Sequence, residues 1–97
     1  MSFEVDTGEV RRAAKEIRKI AENVGALSSQ NVQRMRSSVD QNMEGATADA
    51  ISEVLSDLSS DIRRISSGLN DVYKALLDYA ERIEEADRKA KEEIEAN

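Results

Sequence analysis

The chain has 97 residues, with 14 Lys or Arg against 20 Asp or Glu, a net charge of -6, and no His, Cys, Trp or Pro. Without imidazole or thiol it lacks the groups for the usual zinc, haem and iron–sulfur sites, for a thiol nucleophile, for a redox pair and for an imidazole base. No cofactor is implied, and an enzyme is not expected.

The apolar content is thin. Leu, Ile, Val and Phe together number 21 and the aromatic share is 3%, just above the range in which chains stay disordered. A single domain of this size has little core, so the chain is expected to complete its burial against something else. Cysteine silence fits a reducing cytoplasm or an exported protein that needs no staples.

Helix one is expected over about residues 7–42. Its start is marked by Asp6 as a cap with Glu9 three residues on, and by Val5 and Val10 as a hydrophobic staple. Val10, Ala13, Ala14, Ile17, Ile20, Ala21, Val24 and Leu27 form a stripe. After a five-residue step it continues through Val32, Met35, Val39 and Met43. The loss of register near Gly25, Ser28 and Ser29 predicts a bend or weak spot, since no turn cluster stands there.

A turn is expected at about 43–46. Gly45 can take the positive φ that ends a helix, and Thr47 can cap the next. Helix two is expected over about 47–95. Its seam reads Ile51, Leu55, Leu58, Ile62, Ile65, Leu69, Val72, Leu76, Tyr79, Ile83, Ala86, Ala90 and Ile94, in alternating steps of four and three. That spacing is a heptad repeat. So short a turn makes the helices antiparallel, and helix two overhangs its partner. The fold class is all-α: one antiparallel helical-hairpin domain over 1–97.

Val54, Tyr73, Leu77 and Ala80 lie beside this seam and widen the apolar stripe toward the three-per-heptad face of bundles. Pairing of two hairpins into a four-helix bundle dimer would cover them. The alternative, scattered surface hydrophobes, is common.

Charge is placed unevenly. Residues 1–46 hold seven basic and seven acidic side chains, and residues 47–97 hold seven and thirteen. An acidic surface repels phosphate backbones, so nucleic acid is a poor partner. The basic run Arg11, Arg12, Lys15, Arg18 and Lys19 alternates with Glu9, Glu16 and Glu22, and reads first as a solvated helix face. No membrane span is expected, because no stretch of about 18 apolar residues exists. Met1-Ser2-Phe3-Glu4-Val5-Asp6 has neither the basic start nor the apolar core of a signal peptide.

The carboxylates near the end of helix two, Glu84, Glu85, Asp87, Glu92, Glu93 and Glu95, alternate with Arg82, Arg88, Lys89 and Lys91. A metal shell would not include those cations, so no metal site is read there. Eleven serines have no base to activate them. Ser28-Ser29, Ser37-Ser38, Ser59-Ser60 and Ser66-Ser67 read as small polar positions that allow close helix packing.

About one hundred residues, two antiparallel helices, a central turn Met43-Glu44-Gly45 and an acidic C-terminal stretch together resemble the WXG, or ESAT-like, family of small type VII secretion substrates. Gly45 stands in the family's glycine position and Met43 where its tryptophan would be. The family's export signal, Tyr-x-x-x-Asp/Glu, is not met. Ile83 stands four residues beyond Tyr79 and Leu77 four beyond Tyr73, while Asp87 lies eight past Tyr79.

The resemblance implies a non-enzymatic secretion substrate or partner protein that dimerises and presents a C-terminal tail, with Tyr79 and Asp87 as candidate export residues, to a secretion ATPase. The dimer partner would be an identical chain or a sister WXG-like protein, which would then carry the export signal. Localisation would be cytoplasmic before export and secreted afterwards without a cleaved signal peptide. The alternative is a cytosolic coiled-coil chaperone or targeting adaptor for a larger secreted toxin.

Overall fold

The computed structural model describes residues 5–96. Met1 to Glu4, on which part of the signal-peptide reading falls, lie outside the described residues. Helix α1 spans Thr7–Ala26, a π-helical stretch spans Leu27–Val32, and α2 spans Gln33–Asn42. These three run into one another as a single arm. Helix α3, Gly45–Ala96, is the other arm. Its 52 residues, at about 1.5 Å per residue, account for the 79 Å long axis of the molecule. The protein is an all-α helical hairpin.

Local chemistry sets the ends. Asp6 has extended backbone and its carboxylate accepts from the Glu9 amide at 3.2 Å, so the first orphan donors of α1 are capped. The arm closes where the Met43 amide donates to the Val39 carbonyl at 2.9 Å and the Asn42 side-chain amide donates to the Ser38 carbonyl at 2.8 Å. Gly45 then reverses the chain at φ +78, a conformation that costs a side-chain-bearing residue about 1–2 kcal/mol. Met43, the last residue of the apolar stripe of the first arm, is 44% exposed on extended backbone. With only Glu44 between it and α3, the turn is too tight to fold its side chain back over the hairpin.

At the five-residue step the arm neither breaks nor ends. It widens into the π stretch, whose i to i+5 bonding takes up an extra residue per turn. The seam carried by Ala14, Ala21 and Ser28 therefore continues at Val32 and Val39, all five buried.

Pairing between the arms is antiparallel. Arg11 meets Glu84, Arg18 meets Tyr73, the Ser66 hydroxyl donates to the Ala21 carbonyl at 2.8 Å, and Ser28 meets Ser59. Nearest the turn, Val32, Val39, Ala48 and Leu55 form an aliphatic core with Ile51 and Ile62 against it.

The seam on α3 differs from the one the heptad count predicts. Ile51, Leu55, Ile62, Leu69, Leu76 and Ile83 do turn inward, wholly or in part. Leu58, Ile65, Val72 and Tyr79 do not; they are 40–57% exposed. The residues one step later, Ser59, Ser66, Tyr73 and Ala80, take the inner line. The physical reason lies on α1. Its most buried line is small (Ala14, Ala21, Gly25, Ser28), so the helices approach closely and Ser59, Ser66 and Ala80 fit against it, while the larger Tyr73 lies half-buried at the edge. A Cβ placed on Gly25 would stand 3.2 Å from the Ser66 hydroxyl. The bulkier line of α3 is displaced to the flank.

Candidate functional site

Seam and flank thus exchange places in part. Of the four flank residues, Ala80 is 0% exposed between the arms. Tyr73 is half-buried under Arg18, whose guanidinium lies 5.3 Å from the ring centroid and donates to the phenol oxygen at 3.2 Å. Leu77 is half-buried one turn on. Only Val54 is openly exposed, at 65%. Tyr79, expected to pack in the seam, is exposed, as is Asp87.

The hairpin has two unlike sides. On α1, Ala13, Ile20 and Leu27 each precede an inward residue by one position; on α3, Leu58, Ile65, Val72 and Tyr79 do the same. In antiparallel helices these preceding positions face the same way. Together they form an apolar strip along the molecule, with Ile20 and Leu27 as exposed as their α3 counterparts. Sequence periodicity found the α3 residues of this strip and placed them between the arms, where the structure does not.

The opposite side sets charged residues around an apolar floor. Arg11, Lys15, Arg18, Lys19 and Glu22 of α1 line a groove of about 470 Å³ with Tyr73 and Leu77 of α3. Arg18 pairs with Glu22 at 3.4 Å. At the open end, Arg11 donates through Nη2 and Nε to Glu84 at 2.5 and 3.3 Å. That bond, with a second from Thr7, holds the Glu84 carboxyl below its ordinary pKa. The basic run of α1 was legible in sequence, but its juxtaposition with Tyr73 and Leu77 was not.

The interior between these sides is satisfied. The Ser28 hydroxyl donates to the Ser59 carbonyl at 3.3 Å and shares a second hydrogen bond with the Ser59 hydroxyl. Among the described residues no buried side-chain polar atom lacks a partner, and no group of three or more acidic residues could hold a metal ion. No described helix is long and apolar enough to cross a membrane.

Beyond Ile83 the end of α3 is exposed. Arg88 bridges Glu85 at 2.6 Å and Glu92 at 2.7 Å within the helix, and Ile94 is 77% exposed.

No curated protein and no solved structure matches the chain. One family model does, that of the WXG100 proteins, described as proteins of 100 residues with WXG, and it matches residues 2–88. A hairpin of two helices reversing at Met43-Glu44-Gly45, matched over nearly its whole length, places the chain in that family: it belongs to the WXG100 proteins, small helical proteins associated with type VII secretion.

Proposed function

We propose that the protein acts as a type VII secretion substrate or partner by dimerising through its apolar strip. The observation that supports this reading is the strip itself. Four bulky residues at sevens on α3, beside Ile20 and Leu27 of α1, remain exposed in the lone hairpin. Contiguous apolar surface of that kind on a soluble chain marks an interaction site. Two hairpins laid strip to strip form a four-helix bundle, in which heptad-spaced residues interdigitate.

In this reading Leu58, Ile65, Val72 and Tyr79, with Val54 extending the line, form the dimer interface, and Tyr73, Leu77 and Ala80 do not. Tyr79 then serves the interface rather than the export tail. The exposed end of α3, with Asp87, is the element presented to a secretion ATPase. Because Tyr-x-x-x-Asp/Glu is not met, pairing with a sister chain that carries the signal is the natural route out of the cell. The same observation favours a second reading, an adaptor that escorts a larger secreted protein.

Light scattering after size exclusion tests the interface. The purified chain is expected at twice its 10.8 kDa mass, and Ile65→Asp is expected to run as a helical monomer, since a charge in a dimer core is left without a partner. A monomeric parent chain that remains fully helical and cooperative overturns self-pairing. It leaves the sister-chain dimer, which co-expression would reveal.

A further inference from the structure

The groove with its charged rim lies on the side of the hairpin opposite the strip, so it stays open whether or not the strip is paired. Its floor is apolar, from the Tyr73 ring and Leu77. Its α1 wall carries four cations, two of them already engaged: Arg11 by Glu84, and Arg18 by Glu22 and Tyr73. Lys15 and Lys19 line the groove with no ion pair among the described residues. They stand one helical turn apart on an exposed line parallel to the groove, in a chain whose net charge is -6.

We infer that this groove docks an acidic amphipathic helix from a partner protein, with carboxylates one turn apart meeting Lys15 and Lys19 and an aliphatic side chain seated on Tyr73 and Leu77. The shape argues for a helix. A furrow between two antiparallel helices accepts a third whose apolar residues fall at three- and four-residue spacing. Charge argues for a protein rather than a polyphosphate. The overall negative field repels a nucleic acid or anionic membrane at distance, whereas a short carboxylate-bearing helix meets a local surplus of positive charge. Charges on the rim of such an interface act mainly on encounter rate and partner choice, and Tyr73 and Leu77 supply the desolvated centre.

The test is amide NMR on the full chain, titrated with a synthetic helical peptide bearing Glu pairs four residues apart around a Leu. Three other probes are run beside it: the same peptide with Lys for Glu, a DNA oligonucleotide, and phosphatidylglycerol vesicles. The Glu peptide is expected to shift the amides around Lys15, Arg18, Lys19, Tyr73 and Leu77, and to bind more weakly as salt is added. The double variant Lys15→Glu/Lys19→Glu, whose changes are both at exposed positions, is expected to lose about tenfold or more in affinity. Its helicity and its mass by light scattering should be unchanged, which separates this result from any failure of the strip. No binding of the Glu peptide, equal binding of the Lys peptide, shifts confined to the strip residues Leu58, Ile65, Val72 and Tyr79, or tighter binding of the oligonucleotide or the vesicles would each overturn the inference.

Discussion

The two ends of the hairpin hold their helices together by different means. Near the turn, Val32, Val39 and Leu55 meet as aliphatic side chains, with Ile51 and Ile62 closing around them. Toward the open end the buried line is Ala14, Ala21 and Ser28 against Ser59 and Ala80, with hydroxyl and carbonyl groups bonded across it. The first region draws its stability from apolar area removed from water. The second fully buries only small side chains and relies on close approach, which leaves Ile20 and Leu27 of α1 and Leu58, Ile65, Val72 and Tyr79 of α3 outside. One region closes the hairpin around aliphatic side chains; the other closes it around small ones and keeps an apolar strip exposed.

That contrast can be broken most severely near the turn. Leu55→Ala removes the largest buried side chain of the aliphatic cluster and is expected to cost about 2–4 kcal/mol, from lost burial and the cavity left behind. Thermal melts at fixed low concentration, where the proposed strip pairing would contribute least, measure it. A loss well under 1 kcal/mol would mean that the turn end is not the stabilising region.

A smaller loss of the opposite origin is expected toward the open end. Ala21→Leu adds bulk where Ala21 is fully buried and its carbonyl accepts from Ser66, and should destabilise by about 1–3 kcal/mol through forced separation of the helices. If the bulky heptad line instead belonged between the arms, the added Leu would raise the melting temperature.

The smallest effect lies at the open end itself. Glu84 has a folded pKa below its ordinary value, held there by Arg11 and then by Thr7. Its contribution is therefore complete above the ordinary glutamate range and is lost as pH falls through that lowered value. Both partners are solvent-exposed, so the effect is modest. Melting temperatures of the parent and Glu84→Gln should differ slightly at neutral pH and converge in acid. A gap that widens on acidification would show that the Arg11 contact does not stabilise the ionised form.

Much of this molecule could be read from its residues because it is local. Asp6 capping Glu9, the helical run from Ile51 to Ile83 and the positive φ of Gly45 each act over a few positions, and the structure keeps all three; Gly45, however, opens α3 instead of ending the first arm, so Thr47 lies inside the helix it was expected to cap, and part of the run turns outward. The weak register after Gly25 was legible as a fault, though its form, a π stretch that carries the seam from Ser28 to Val32, was not. The groove escaped detection because Arg18 and Tyr73 lie 55 positions apart.

What sequence alone determined is therefore two long helices, a tight turn between them and an excess of apolar residues at heptad spacing. Tertiary structure decided which of two adjacent lines faces inward. Leu58 and Ser59, or Tyr79 and Ala80, differ by one position, and both lines repeat every seven residues, so periodicity alone cannot rank them. The choice falls to how closely the opposing helix can approach. Ala14, Ala21, Gly25 and Ser28 present so little bulk that Ser59, Ser66 and Ala80 fit against them, and the larger side chains remain on the outside.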